Sequence, residues 1–305
     1  MKLRNTWSRR EIMAMAAAVT ASPAGILAQE ESMLTREIPS SGEALPVIGL
    51  GTYNVFDVSG TPEEIEVRQA IVELLIDHGG NVIDSSPMYN RAEEVVGKIV
   101  AAGSARDKLF LASKVWTDGK ASGEAQMQRS IDLMRADTMD LMQVHNLRDL
   151  GAHLETIREW QDAGRIRYNG VTDYRASALD EIEAVMDEHR PQFVQINYSL
   201  GEREADRRVL PLAEELGIAV LINRPYMTGR LFRAVGDRPL PDWATEFAES
   251  WGQFFLKYIV SHTAVTCVIP ATSKLHHMSD NLRAGFGPIP DQRIRRRMEQ
   301  FMDAL

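Results

Sequence analysis

Four ionisable side chains have the types and spacing to act on one substrate atom: Asp84, Tyr89, Lys114 and His145. Asp84 lies in NVIDSS, Lys114 in LFLASKVW and His145 in MDLMQVHN, each near the end of a short apolar run, and Tyr89 follows just beyond Asp84. Reducing a carbonyl requires a hydride on carbon and a proton on oxygen, and a phenol is a source for that proton. A free tyrosine, with a pKa of about 10, releases it reluctantly at neutral pH. A neighbouring ammonium such as Lys114 favours the tyrosinate and is expected to lower that pKa. Asp84 would keep Lys114 charged and in position, and His145 would hold the carbonyl oxygen beside Tyr89. General acid catalysis of this kind contributes about 10²–10⁴ in rate.

The elements that must position these groups follow a regular alternation. The runs LPVIGLGTY (45–53), NVIDSS, LFLASKVW, MDLMQVHN, RIRYNGVTDY, QFVQINYS, IAVLINRP and TCVIPATS read as strands, each followed by helical sequence. In the first helix (62–80), Pro62 suits the opening turn and a glycine pair stops it. Strict alternation implies parallel strands joined by right-handed crossovers. Eight such units predict an α/β fold, a single (β/α)8 TIM barrel, over residues 29–305. Barrel active sites lie at the C-terminal strand ends, which brings the four side chains to one rim. Residues 227–243 are rich in Gly and Pro and read as a long loop on that rim, whereas 242–262 read as helix.

Composition narrows the alternatives. The 305 residues are 44% hydrophobic and 25% charged, ordinary for a globular protein with a sizeable core. A net charge of -9 argues against a nucleic-acid partner, and the basic run RIRRRMEQ reads as a solvated helix face. One cysteine, Cys267, excludes an intrachain disulfide and reads as a small core residue. No metal is expected: His276 and His277 are adjacent, and neighbours on a helix point apart. Residues 1–28 carry Arg9 and Arg10 before an alanine-rich run that is too short and weak to span a membrane. That layout is the pattern of a signal peptide of the twin-arginine type, with cleavage expected after Ala28 and the twin-arginine machinery as partner. A periplasmic or exported protein is expected, and a cytoplasmic one if the segment is not a working signal.

NVIDSSPMYN, LASKVW, LMQVHN and the opening REIPSSGEALPVIGLGTY together resemble the aldo-keto reductases, over about residues 33–285. The order Asp, Tyr, Lys, His, each in its own strand-end setting, makes the resemblance specific. It implies NADP(H), or else NAD(H), as hydride carrier and a small-molecule carbonyl or alcohol as substrate. It also implies a tetrad of Asp84, Tyr89, Lys114 and His145, with Tyr89 as acid in reduction and base in oxidation.

The cofactor positions carry over unevenly. Gly51 and Thr52 match the strand end whose backbone approaches the cofactor, and Gln195 matches the residue that binds the nicotinamide carboxamide. NGVTDY matches a pattern usually reading Gly-Val-Ser-Asn: Thr172 keeps the hydroxyl, but Asp173 replaces an amide with an acid. Either Asp173 turns away or the grip on the nicotinamide differs. In LINRPYMTGRLF, Asn223 stands where the family usually stacks an aromatic ring, and Arg224 stands at a serine position. Arg224 is expected to reach the cofactor phosphates, because guanidinium pairs well with phosphate; pairing with a surface carboxylate is the alternative. VIPATSKLHHMSDN resembles the segment around the adenosine phosphate. It offers Thr272, Ser273 and Lys274 to a 2′-phosphate at a helix N-terminus, and Asn281 to the adenine. Tyr53, Phe56 and Trp116 are candidate substrate contacts, since aromatic walls are common in ligand pockets.

Two further readings stand beside the reductase. One is a non-catalytic or slow NADP(H)-binding protein that senses redox state or binds a partner, for which Asp173 and Asn223 leave room. The other is an unrelated barrel, such as a lyase or hydrolase, using the same carboxylate and lysine.

Overall fold

The fold was analysed in a computed structural model, which describes residues 32–103 and 106–305; the expected export segment, residues 1–28, lies outside them. The described chain opens with an antiparallel hairpin, β1 (Thr35–Glu37) and β2 (Ala44–Pro46). The barrel strands follow: β3 (Leu50–Gly51), β4 (Val82–Asp84), β5 (Phe110–Val115), β6 (Met139–His145), β7 (Ile166–Asp173), β8 (Phe193–Asn197), β9 (Ala219–Asn223) and β10 (Val265–Val268). Each pairs in parallel with its neighbour in sequence, giving one eight-stranded sheet. Parallel bridges Ile48–Val268 and Gly51–Ala271 join its first and last strands, so the sheet closes. Two glycines make this seam tight. A Cβ on Gly49 would lie 3.2 Å from the Cys267 Sγ of β10, and one on Gly51 would lie 2.8 Å from the Ile269 carbonyl oxygen just beyond it.

Helices cover the outside: α1 (Pro62–Asp77), α2 (Ala92–Gly103), α3 (Lys120–Met134), α4 (Leu150–Asp162), α5 (Leu179–His189), α6 (Val209–Leu216), α7 (Arg230–Val235), α8 (Trp251–Val260), α9 (Leu275–Arg283) and α10 (Gln292–Asp303). The start of α1 is set by Thr61, whose hydroxyl accepts from the Glu64 N–H while the Glu64 carboxylate accepts from the Thr61 N–H. This reciprocal cap satisfies donors that a helix otherwise leaves unpaired. The larger apolar core lies between sheet and helices. A second cluster fills the barrel near the strand starts, with Val82, Phe110, Tyr168 and Phe193 packed on Ile38 and Leu45. The latter two belong to the hairpin unit, which therefore plugs the end opposite the rim. Tyr168 anchors it further by donating from its hydroxyl to Glu43 Oε2 at 2.6 Å.

Three expectations are corrected. Residues 45–53 do not form one strand: the chain leaves the hairpin at Pro46, which has no N–H for a ladder, and re-enters the sheet at Leu50. Residues 227–243 hold more than loop, because Leu231 and Val235 are buried and form the inner face of α7. Residues 242–262 form a 3-10 turn at Asp242–Ala244 and are α-helical only from Trp251, where the Ser250 hydroxyl caps the Gln253 N–H at 3.0 Å. The basic C-terminal run lies in α10, and it is not wholly solvated. Met298 is buried, and Arg295 donates to the Ser261 hydroxyl and the Tyr198 hydroxyl, both at 2.7 Å. Among the described residues no helix is long and apolar enough to cross a membrane.

Candidate active site

Asp84 is the last residue of β4, and Lys114 is the penultimate residue of β5. Both are buried, and the Lys114 ammonium donates to Asp84 Oδ2 and to the Ser85 carbonyl, each at 2.6 Å. The second carboxylate oxygen is also engaged. Asp84 Oδ1 accepts from Gln195 Nε2 at 2.7 Å and from Gln143 Nε2 at 3.3 Å. A buried ion pair holds its charges only when such extra hydrogen bonds offset the lost hydration. Burial opposes the charge on Lys114, but the facing Asp84 and Tyr89 outweigh it and raise its pKa.

Tyr89 is positioned by two successive turns beyond β4: its N–H donates to the Ser86 carbonyl, and its own carbonyl accepts from the Ala92 N–H, both at 3.0 Å. The Lys114 Nζ lies 5.1 Å from the centre of its ring. Burial is the largest influence on the phenol and raises its pKa; Lys114 pulls the other way without reversing the shift. The expected lowering is therefore corrected. Lost hydration penalises the tyrosinate by more than the ammonium favours it, and the phenol keeps its proton at neutral pH.

His145 ends β6, its ring edge-on to Tyr89 with centroids 6.3 Å apart. Burial first, and the Lys114 charge second, push its pKa down to about 3. The imidazole is accordingly neutral at neutral pH. Its Nδ1 lies 3.2 Å from the Ser86 hydroxyl oxygen.

These groups border a cavity of about 810 Å³ at the C-terminal strand ends. Asp84, Tyr89 and His145 line it, and so do Gly51, Thr52, Thr172, Gln195, Asn223 and Arg224 of the expected cofactor set. Lys114 lies beneath, reaching Asp84 and the Tyr89 ring. Tyr53 and Trp116 form walls, joined by Met88 and Tyr174, which the residue types alone did not single out. Phe56 is corrected: it is fully buried in the core between sheet and helices and does not line the cavity. Of the two alternatives for Asp173 the structure has the first, and its place among the cofactor contacts is corrected. Its carboxylate turns to Arg175, accepting from Nε at 2.9 Å and from Nη2 at 2.6 Å, and it is absent from the cavity wall.

Thr272, Ser273, Lys274 and Asn281 lie at and within α9 rather than on the wall. Thr272 Oγ1 accepts from the Lys274 N–H at 3.1 Å, and Asn281 Oδ1 accepts from the hydroxyl of Tyr226, itself a lining residue, at 2.6 Å. That contact, and the packing of the Tyr226 ring on Phe232, hold Tyr226 against the α9 side of the cavity.

The wall offers a polar ligand two open acceptors and one cationic donor, and the donor suits an anionic part of that ligand. Asn146 Oδ1, Asn223 Oδ1 and Arg224 Nε are buried at this wall without hydrogen-bond partners among the described residues. Arg224 has a left-handed backbone (φ 50°) and lies over Tyr174 at 5.4 Å, with no carboxylate paired to it among the described residues. Buried polar groups are normally satisfied, so these atoms mark where a ligand would be held.

Gln143 was readable in principle. It lies two residues before His145 in the same strand, hence on the same face. Ser86 gave no such signal, since its contact depends on the turn after β4.

The sequence profile of the Aldo/keto reductase family matches residues 47–300. Aldo-keto reductase YhdN of Bacillus subtilis is 30% identical over 215 residues, covering 64% of this chain and 63% of YhdN. The match thus spans less than two thirds of YhdN's own length. Methylglyoxal reductase YeaE of Escherichia coli is 28% identical over 260 residues, covering 82% of this chain and 89% of YeaE. Among solved structures, an aldo-keto reductase from Klebsiella pneumoniae in complex with NADPH superposes with a TM-score of 0.76. It is 24% identical, and the match covers 88% of this chain and 96% of that one. With the family profile spanning most of the described barrel, the chain belongs to the aldo/keto reductase family.

Proposed function

We propose that this barrel is an NADP(H)-dependent carbonyl reductase, with Tyr89 as general acid in reduction and general base in alcohol oxidation. The observation that carries the reading is the convergence of Asp84, Tyr89 and His145 on the cavity, with the Lys114 ammonium beneath them against Asp84 and the Tyr89 ring. Tyr89 would pass its hydroxyl proton to the substrate oxygen. Lys114 would then lie beside the tyrosinate, and Asp84 would keep the ammonium charged through the transfer. His145, being neutral, would hydrogen-bond the substrate oxygen rather than compete as an acid.

When bound, NADP(H) supplies the hydride. Gly51, Thr52, Thr172, Gln195, Asn223 and Arg224 would hold its nicotinamide and phosphate parts, and Thr272, Ser273, Lys274 and Asn281 its adenosine part. The unpartnered atoms of Asn223 and Arg224 support this. As substrates we propose small aldehydes, 2-oxoaldehydes included, in keeping with the name of the YeaE relative. Tyr53, Met88 and Trp116 would border the substrate.

The test is NADPH consumption with a panel of aldehydes, for wild type and Tyr89→Phe. Loss of the proton donor should lower kcat about 10²–10⁴-fold while NADPH affinity is retained. Turnover untouched by Tyr89→Phe would remove Tyr89 from its role. Tight NADPH binding with no turnover by wild type would favour the sensing or partner-binding alternative.

A further inference from the structure

We infer that Ser86 is a positioning residue that fixes the proton of His145 on Nε2, so that the imidazole presents a donor to the substrate oxygen. The inference deepens the carbonyl-reducing reading of the cavity and rests on it for its catalytic meaning.

The argument is a count of protons around one buried hydroxyl. Ser86 is fully buried, and its Oγ has two partners: the Met88 N–H and His145 Nδ1, each at 3.2 Å. A backbone N–H can only donate, so Oγ accepts there. If Nδ1 also donated to Oγ, the serine proton would be left buried with no acceptor among the described residues. Native structures avoid that arrangement. The arrangement that satisfies every atom has Oγ–H donating to Nδ1. A neutral imidazole with an accepting Nδ1 carries its proton on Nε2.

The remaining geometry agrees. Nε2 has no protein partner among the described residues, and His145 lines the cavity. A doubly protonated ring is disfavoured by burial and by the Lys114 charge. A carbonyl oxygen has two acceptor sites, so the Tyr89 hydroxyl and His145 Nε2–H could both donate to it. The opposite tautomer would face that oxygen with a lone pair. Ser86 also ties the two groups together, because its carbonyl accepts the Tyr89 N–H at 3.0 Å while its hydroxyl holds the imidazole. Pro87 supports this by favouring an extended backbone at Ser86.

The deciding measurement is nitrogen NMR of the full-length protein labelled with ¹⁵N-histidine, free of substrate, with His145→Gln identifying the His145 signals. A protonated Nε2 and a hydrogen-bonded, unprotonated Nδ1 at neutral pH are expected. A proton on Nδ1 in the wild type overturns the inference, whatever any variant does. Ser86→Ala should shift His145 toward the other tautomer and lower kcat about two- to tenfold, with the NADPH dissociation constant unchanged. A folded Ser86→Ala protein with unaltered tautomer also overturns it. Failure of the reductase reading looks different: no aldehyde turnover by wild type, with the tautomer as stated.

Discussion

Burial drives Tyr89 and His145 to the same state by opposite shifts. The phenol's pKa rises and the imidazole's falls to about 3, so both are neutral at neutral pH. For His145 this has a consequence for stability. The unfolded residue titrates near 6.5, so between about pH 6.5 and 3 the unfolded chain binds a proton that the native chain refuses. Its contribution is complete above the unfolded pKa and is lost as pH falls toward the folded one. Urea midpoints measured from pH 7 to 4 should therefore fall, and His145→Gln should flatten part of that slope. Part will remain, because burial also lowers the pKa of His262. An unchanged slope in the variant would show that His145 is not protected from protonation. The identities of Asp84, Lys114 and His145 were legible because each lies at or next to the end of a strand, where type and position together mark the rim. The direction of the Tyr89 shift was not, since it depends on how much surrounding protein displaces water. Phe56 misled for a related reason: in a loop, an aromatic type does not say which way the ring turns. The Asp173–Arg175 contact, two residues apart in TDYR, was within reach of a closer reading.

Between elements, contact distance decides what a glycine is for. A Cβ on Gly97 of α2 would come within 1.8 Å of the Leu133 carbonyl oxygen of α3. Alanine favours a helix by about 1 kcal/mol over glycine, but here it would push the two helices apart. Gly97→Ala should thus lose net stability, by about 1–3 kcal/mol, as overpacked sites do. Gly151 in α4 is the control, since a Cβ there meets nothing within 4 Å. Gly151→Ala should gain about 0.5 kcal/mol. Guanidinium unfolding of both variants reads the two signs, and equal shifts would contradict the helix contact. Most helices were legible from spacing and end signals, such as Pro62 and the glycine pair closing α1. The plugging hairpin was not, because its three-residue strands carry little pattern and Ile38 and Leu45 gain their meaning only inside the barrel mouth. The six residues of α7 were hidden between Gly229 and Gly236, which read locally as loop.

At the scale of the whole molecule, the eightfold alternation was readable because barrel strands are covered on both faces and so are apolar throughout. Eight units also favour closure, whereas the close packing of Gly49 and Gly51 that the seam requires is visible only in three dimensions. A closed barrel whose proposed cofactor-holding groups are spread over β3, β7, β8, β9 and α9 should be stabilised as a unit by cofactor. A ligand at 100 times its dissociation constant adds about 2.7 kcal/mol, and each kcal/mol moves the midpoint about 2–4 °C for a domain of this size. Saturating NADPH should therefore raise Tm by roughly 5–11 °C. In the proposed site, Lys274 should make this shift selective. It is the N-cap of α9, with no side-chain cap on the first turn, and its own side chain is exposed. Free N–H groups and an ammonium there suit the 2′-phosphate that NADH lacks. Wild type should accordingly shift more with NADPH than with equimolar NADH. Lys274→Ala should bring the NADPH shift down toward the NADH value while leaving the NADH shift in place. Equal losses with both cofactors would mean that Lys274 supports the fold of the segment, and equal shifts in wild type would remove the 2′-phosphate from the site altogether.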